Sequence, residues 1–266
     1  MEKQIFYYQN KIHYRVIGSG TAVLLVHGFG EDGLLWDEMV AALSDKFQFI
    51  APDLPGSGKS DAIEDMTMEG LAEILEAIIQ NENINKAVVI GHSMGGYISL
   101  AYAEKYIHRI QAFGLFHSTA FADSDEKKAV RQKGIEFIRQ HGAFEFIKAT
   151  TPNLFSQHIK DHAPEVVEKF IGQQHNFKSE NLVSYYKAMM NRPDRTSVLK
   201  AADFPVLFIM GKYDSAAPLN DMLQQCHLPQ KSYIHILQNT SHLGMIEEKE
   251  KCVVILDRFL WETSAI

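Results

Sequence analysis

The sequence has little cysteine, no long apolar run and no excess of positive charge. Its two cysteines, Cys226 and Cys252, are too few for a disulfide framework and lack metal-ligand spacing, so we expect buried free thiols. No stretch reaches about 18 uninterrupted apolar residues, and the first residues lack an apolar signal region, which predicts a soluble, cytoplasmic protein without a membrane partner. A formal net charge of -7 with 26 Lys and Arg argues against nucleic-acid binding.

What the sequence does contain is an alternation of short apolar runs and helical periodicity. With 266 residues, 46% of them hydrophobic, the chain can bury one substantial core. Residues 4–9 and 12–17 are predicted as strands joined by a turn at Asn10 and Lys11. Further strands are predicted at 22–27, 47–51, 86–90, 110–116, 205–210 and 232–237, with helices at 68–80, 95–105 and about 244–261. This alternation indicates an α/β fold with a mostly parallel central sheet flanked by helices on both faces.

The alternation stops between residues 118 and 202, where no buried strand is evident. Helical spacing of apolar residues predicts helices at 125–141, 143–150, 163–174 and 179–191, with Pro152, Pro164 and Pro193 as breaks. We interpret 118–202 as an inserted helical cap on a core domain made of 1–117 and 203–266. The alternative is that this stretch continues the layered domain.

The most specific motif is Gly91-His92-Ser93-Met94-Gly95, which follows a predicted strand and begins a predicted helix. It has the G-x-S-x-G spacing of a nucleophile elbow, in which a tight turn lifts the serine hydroxyl above the sheet. Ser93 then lies at a helix N-terminus, where free N–H groups favour developing negative charge. Its other interpretation is an ordinary helix-capping serine. His92 is expected to pack rather than to catalyse.

A serine hydroxyl needs a base and a group that orients the base. Asp214 follows the strand at 205–210 and His242 follows the strand at 232–237, in the order serine, acid, histidine that accompanies this elbow. Asp214 could instead only cap a turn, and Asp203 or Asp221 could replace it. The competing histidines are His227, before the last strand, and His235, inside it.

Acyl transfer also needs donors for the oxyanion of the intermediate. The predicted donors are the backbone N–H groups of Met94, after the nucleophile, and of Phe29 in His27-Gly28-Phe29-Gly30. The alternative is that these glycines only shape a turn.

The chain resembles the α/β-hydrolase superfamily along nearly its whole length. The resemblance rests on five motifs in the order that is typical of the family: HGFG, DLPGSGKS, GHSMGG, GKYD and SH. The DLPGSGKS loop, residues 53–60, lacks the Walker spacing and is expected to be structural. The resemblance is greatest to capped esterases, lactonases, C–C bond hydrolases and cofactor-free peroxidases, which use serine where related dehalogenases and epoxide hydrolases use aspartate. It implies no metal and no organic cofactor.

The leading hypothesis is therefore hydrolysis of a small, mostly apolar carboxylic ester through an acyl-enzyme. The alternatives are a small-molecule-sensing signalling protein, a C–C bond hydrolase and a cofactor-free peroxidase. The cap and its surroundings are expected to shape the substrate pocket, whose candidate residues are Phe29, His117, Phe121, Phe144, Phe155 and Met189.

Overall fold

An eight-stranded sheet forms the centre of the molecule. The computed structural model describes residues 1–174 and 176–264. The strands are β1 (Glu2–Tyr7), β2 (Asn10–Ile17), β3 (Thr21–Val26), β4 (Phe47–Pro52), β5 (Ala87–His92), β6 (Ile110–Phe116), β7 (Val206–Gly211) and β8 (Ser232–Leu237).

The strands lie side by side in the order β1-β2-β4-β3-β5-β6-β7-β8. The pairs β1–β2 and β2–β4 are antiparallel, and every other pair is parallel. Parallel strands end at the same edge of the sheet, so the loops after β3, β5, β6, β7 and β8 share one rim. The predicted fold class, a mostly parallel sheet flanked by helices, is confirmed.

Twelve α-helices occur in the described part of the chain. They are α1 (Asp37–Leu43), α2 (Met68–Asn81), α3 (Met94–Lys105), α4 (Asp125–His141), α5 (Ala143–Thr150), α6 (Gln157–His162), α7 (Pro164–Gln173), α8 (Ser179–Asn191), α9 (Thr196–Ala201), α10 (Leu219–Leu223), α11 (Gly244–Glu247) and α12 (Lys249–Ser264).

The core has two layers, one on each face of the sheet. Leu24 and Val89 pack with α2 and α3, whereas Val23 and Val88 pack with α1 and α12. Successive residues of a strand point to opposite faces, so a strand covered on both sides must be apolar throughout. This burial explains why the central strands are continuous apolar runs in the sequence.

The first hairpin turns two residues earlier than predicted. Tyr7 pairs with Asn10, so the turn consists of Tyr8 and Gln9 rather than Asn10 and Lys11. Tyr8 takes the positive φ, 53°, that asparagine would adopt more readily. The turn residue was misassigned because local preference pointed to Asn10, whereas strand pairing decides the register.

Between β6 and β7 the described residues form helices α4 to α9 and contain no strand. Helices α4, α5 and α8 have the predicted bounds. Helix α7 begins at Pro164, since proline's fixed φ suits the first turn of a helix. Helices α6 and α9, and the 3₁₀ turn Thr151–Leu154, were not predicted because each is too short to show periodicity.

The single C-terminal helix predicted at 244–261 is in fact two helices. Glu248 has the non-helical backbone angles φ -129° and ψ 52°, and it separates α11 from α12. Its carboxylate accepts hydrogen bonds from the Asn239 N–H at 3.0 Å and the Thr240 hydroxyl at 2.7 Å. The break therefore fixes the segment just before His242, which the amphipathic pattern could not indicate.

The DLPGSGKS loop joins the sheet to helix α8. The Asp53 carboxylate accepts from the Lys59 N–H at 2.9 Å and faces the His13 ring at 2.9 Å. From α8, Asn181 and Tyr185 donate to backbone carbonyls of the loop at 2.9 and 2.6 Å. All of these contacts are internal, in agreement with the expected structural role.

Cys226 and Cys252 are free and buried, as expected. Within residues 1–174 and 176–264, no helix has both the length and the apolar character required to span a bilayer.

Candidate active site

Ser93 lies in the turn between β5 and α3, with φ 50° and ψ -119°. Such angles are rare for residues other than glycine and cost about 1–3 kcal/mol. A Cβ at Gly91 would collide with the Gly95 carbonyl, and a Cβ at Gly95 would collide with the Val26 carbonyl. The two glycines of the motif are thus required by close backbone approach, and the strained turn presents Ser93 at the sheet rim.

Two backbone N–H groups beside this turn are unpaired. Met94 is the first residue of α3, so its N–H has no partner within the helix. Neither Met94 nor Phe29 donates its backbone N–H to any group in the part of the chain that the structure describes. A Cβ on Gly28 would lie 3.2 Å from the Cβ of Ser93, so the loop carrying Phe29 is packed against the turn. Both predicted oxyanion donors are therefore free and adjacent to Ser93's loop.

Asp214 follows β7 and its carboxylate accepts four hydrogen bonds. Oδ1 accepts from the backbone N–H groups of Ala216 and Ala217 at 2.9 and 2.8 Å. Oδ2 faces Nδ1 of His242 at 2.8 Å and Nδ1 of His117 at 3.1 Å. Asp214 thus caps a turn and binds a histidine at once, so capping does not exclude its predicted role as the orienting acid, which stays a prediction. With all its acceptor positions in use, the carboxylate has one orientation.

The charge of Asp214 is stabilised by its partners. Burial raises the pKa of the Asp214 carboxyl, but the charge interaction with His242 and the bonds from both histidines outweigh burial and hold that pKa well below its usual range. The carboxylate is therefore ionised at neutral pH. An ionised carboxylate accepts a hydrogen bond from the Nδ1–H group of His242. This fixes Nε2 of His242 as the nitrogen that is free to accept a proton.

The structure corrects the role predicted for His117. Its side chain is fully buried, and its Nε2 accepts the Gly244 N–H at 3.2 Å. Because Nε2 is an acceptor, Nδ1 carries the proton and donates it to Asp214. Burial lowers the pKa of His117 to about 4, so this ring is neutral. His117 therefore supports the Asp214 carboxylate and does not line a substrate pocket.

None of the alternative acids and histidines is hydrogen-bonded to Ser93, Asp214 or His242 among the described residues. Asp203 and His227 are exposed, and His235 lies within β8. Asp221 instead pairs with Lys127 at 3.6 Å.

The alpha/beta hydrolase fold family matches residues 21–133. The structure superposes with a TM-score of 0.92 on a thermophilic esterase from Thermogutta terrifontis. The two sequences are 29% identical, and the match covers 99% of each chain. The chain is 25% identical to 3-oxoadipate enol-lactonase 1 of Acinetobacter baylyi, over 91% of this chain and 89% of that protein. The chain is therefore similar to members of the α/β-hydrolase superfamily over nearly its whole length, and it has their fold. A further relative, the pimeloyl-[acyl-carrier protein] methyl ester esterase of Vibrio cholerae, is 24% identical over 90% of this chain and 94% of its own length.

The Ser93 hydroxyl makes no hydrogen bond to any described residue. Contacts of this kind are often long without substrate and tighten when it binds. The two loops are nevertheless connected, because His92, which precedes Ser93, faces the carbonyl oxygen of His242 through Nε2 at 3.0 Å. The transfer of a proton from Ser93 to His242 is therefore a proposal that the arrangement of the loops supports.

Four of the pocket candidates lie elsewhere than predicted. Phe155 and Met189 are each only 2% exposed and belong to the two hydrophobic clusters, so they pack rather than face a pocket. Phe121 borders a surface depression beside Asp221. Phe144 is 38% exposed, because residues 143, 146 and 147 form the buried face of α5 and position 144 lies outside it.

Phe29 is the one candidate whose ring joins an aromatic cluster beside the predicted oxyanion donors. Its ring stacks on Tyr186 of α8 with centroids 4.4 Å apart, and the edge of Phe146 of α5 approaches it at 6.2 Å. Sequence reasoning missed Phe146 and Tyr186, although the helical phase of α5 separates Phe146 from the exposed Phe144. The Phe29–Phe146–Tyr186 cluster thus links the residue 27–30 loop to helices α5 and α8.

This cluster provides a matched pair of variants. We expect Phe146→Ala to lower kcat for a p-nitrophenyl ester about 10-fold, because loss of the ring lets Phe29, and with it an oxyanion donor, shift. Phe144→Ala removes the same side chain from the same helix at an exposed position and should leave kcat unchanged. Equal kcat values for both variants and the unaltered protein, measured well below their melting temperatures, would show that the cluster does not support the site.

Proposed function

We propose that the chain is a serine hydrolase that cleaves a small, mostly apolar carboxylic ester through an acyl-enzyme, with Ser93 as nucleophile, His242 as base and Asp214 as the orienting acid. The observation that carries this proposal is the buried Asp214–His242 bond of 2.8 Å. It leaves Nε2 of His242 available on the rim where the strained Ser93 turn also lies.

The protein is a hydrolase of ester-like substrates, as its similarity to an esterase and to an enol-lactonase over nearly their full lengths indicates.

The proposed reaction begins when His242 Nε2 removes the proton of the Ser93 hydroxyl. Oγ then bonds to the ester carbonyl carbon, and the carbonyl oxygen becomes an oxyanion that accepts from the N–H groups of Phe29 and Met94. Each such donor contributes roughly 3 kcal/mol to stabilising the transition state. His242 returns its proton to the leaving alcohol, which departs and leaves the acyl group on Ser93.

Water completes the cycle. His242 removes a proton from water, whose oxygen attacks the acyl carbon, and the carboxylic acid leaves as Ser93 regains its proton. The N-terminus of α3 favours the oxyanion at each of these steps, since its dipole and free N–H groups point to the Ser93 turn.

Residues 118–202 are proposed as the cap of this site, on a core made of 1–117 and 203–266. Helix α8 of this segment binds the DLPGSGKS loop, and the carbonyl of Leu154 accepts the backbone N–H of His242 at 2.9 Å. The segment therefore contacts both the core and the loop of the base. A cytoplasmic location and the absence of metal, cofactor, nucleic-acid and membrane partners remain predictions from the sequence.

A panel of p-nitrophenyl esters of increasing acyl length tests the proposed reaction. We expect many turnovers of the acetate and butyrate esters, and a falling kcat/KM for long chains, as a preference for small esters requires. A single release of nitrophenol without further turnover would favour the signalling alternative. Cleavage of a carbon–carbon bond in diketones in place of ester hydrolysis would favour the C–C bond hydrolase. Halogenation in acetate buffer with hydrogen peroxide in place of ester hydrolysis would favour the cofactor-free peroxidase.

A further inference from the structure

A buried ion pair that the proposed reaction does not use includes the residue that precedes Ser93 in the chain. Glu31 is 2% exposed and His92 is fully buried, and Glu31 Oε2 faces His92 Nδ1 at 2.9 Å. The ring of His92 is surrounded by Trp36 and Phe116, with centroids 6.5 and 6.3 Å away. Charges in such apolar surroundings are costly unless they are paired, and even a buried ion pair adds little stability. Stability alone therefore does not explain this pair.

The geometry around His92 determines its protonation. Nδ1 faces the Glu31 carboxylate, and Nε2 faces the His242 carbonyl at 3.0 Å. An ionised carboxylate and a carbonyl are acceptors only, so between these two partners both ring nitrogens carry hydrogen and the ring is an imidazolium. Burial lowers the pKa of His92, but the charge of Glu31 outweighs it and the pKa is raised; for the same reason His92 lowers the pKa of Glu31 against burial.

The pair is bonded to two loops of the site at once. Glu31 Oε2, the same oxygen that faces His92, accepts the backbone N–H of Gly28 at 2.6 Å. Gly28 precedes Phe29, whose N–H is a proposed oxyanion donor. A continuous series of hydrogen bonds therefore runs from Gly28 through Glu31 and His92 to the carbonyl of His242.

We propose that Glu31 and His92 form a positioning ion pair that holds the loop of the oxyanion donor Phe29 and the loop of the base His242 in fixed register on either side of Ser93. This proposal depends on the proposed function. A hydrophobic pair would fill the same space, but a carboxylate and an imidazolium together supply one acceptor shared by Gly28 and His92 and one donor for the His242 carbonyl. Both residues act through other groups and touch no substrate.

The variant Glu31→Gln removes the charge and keeps the size. One atom of Glu31 accepts from both Gly28 and His92. If an amide oxygen takes this place, His92 loses the negative charge that stabilises its second proton. If an amide nitrogen takes it, Gly28 loses its acceptor. Either arrangement breaks the series, so we expect kcat to fall about 10- to 100-fold with KM nearly unchanged, and the same result for His92→Gln.

The pH profile provides a readout that a structural role alone would not move. As an imidazolium, His92 donates to both Glu31 and His242, and it loses one of these two bonds as pH rises through its raised pKa. The charged or titratable groups that face it are Glu31, Asp214, His117 and His242. In Glu31→Gln the alkaline decline of kcat should begin at a lower pH than in the unaltered protein, because the negative charge that raises the pKa of His92 is gone.

Glu76→Gln is the matched control, because Glu76 is also a buried carboxylate, bonded to Tyr102 and Arg109 away from the loops of the site. It should lower the melting temperature without changing kcat or its pH profile. If Glu31→Gln and His92→Gln keep the kcat and profile of the unaltered protein while Ser93→Ala is inactive, this inference is wrong and the proposed function stands. If Ser93→Ala is fully active, the proposed function fails as well.

A measurement on the unaltered protein covers the case in which these variants do not fold. With ¹⁵N-labelled histidine, NMR should show one ring protonated on both nitrogens at about pH 8, well above the usual histidine pKa. Finding no doubly protonated ring at that pH would overturn the proposal.

Discussion

We expect Ser93→Ala to lose about five orders of magnitude in kcat for p-nitrophenyl acetate, since comparable serine hydrolases lose this much when the nucleophile is removed. The methyl group cannot form an acyl-enzyme, whereas the unpaired N–H groups of Phe29 and Met94 remain to bind the ester. The loss should therefore appear in kcat, with KM nearly unchanged. Steady-state rates at several ester concentrations separate the two constants.

Ser99→Ala is the control for this experiment. Ser99 lies in α3, the helix that follows Ser93. Its hydroxyl donates to the Gly95 carbonyl at 2.7 Å, so it cannot reach an ester at the rim. Its kcat should equal that of the unaltered protein. Full activity of Ser93→Ala would contradict the assignment of the nucleophile.

We expect Asp214→Asn to lower kcat about 10⁴-fold, because an amide reverses the proton arrangement of the base. If Oδ1 keeps its bonds to Ala216 and Ala217, the amide NH₂ faces Nδ1 of both His242 and His117. Donor then faces donor, so His242 must move its proton to Nε2. In that tautomer it cannot accept the proton of Ser93, and raising the pH cannot restore it.

The same substitution alters the dependence of stability on pH. The pKa of Asp214 is lowered on folding, so its ionised form stabilises the native state above its unfolded pKa, near 3.8, and this contribution is lost as pH falls below that value. Denaturant unfolding between about pH 5 and pH 2 should therefore show a shallower acid loss of stability in Asp214→Asn. Asp221→Asn, at a partly exposed position, should match the unaltered protein in kcat and in acid stability.

The chemistry-bearing loops could be predicted because each follows an apolar strand. Ser93, Asp214 and His242 come directly after β5, β7 and β8, and parallel strands bring such positions to one rim whatever the rest of the chain does. Helices α4, α5 and α8 were predicted with correct bounds since each is long enough to show helical periodicity and ends at a glycine, a proline or a polar segment.

What could not be predicted depends on side-chain contacts between distant segments. His117 was expected in a pocket, yet it meets Asp214, 97 residues away, in the interior. The partnership of Glu31 with His92 spans 61 residues and has no local signature. Phe144 was predicted as a pocket residue and Phe146 was not considered, because aromatic character alone does not show which face of a short helix is buried.

Labelling with diethyl 4-nitrophenyl phosphate tests the central claim, that the loops around Asp214 and His242 make Ser93 a nucleophile. This compound transfers its phosphoryl group to an activated serine and releases nitrophenol. We predict one equivalent of nitrophenol per chain, the phosphoryl group on Ser93 in the peptide map, and far slower labelling of Asp214→Asn. Undiminished ester turnover after treatment with Ser93 unlabelled, or stoichiometric labelling of a different residue, would contradict the account.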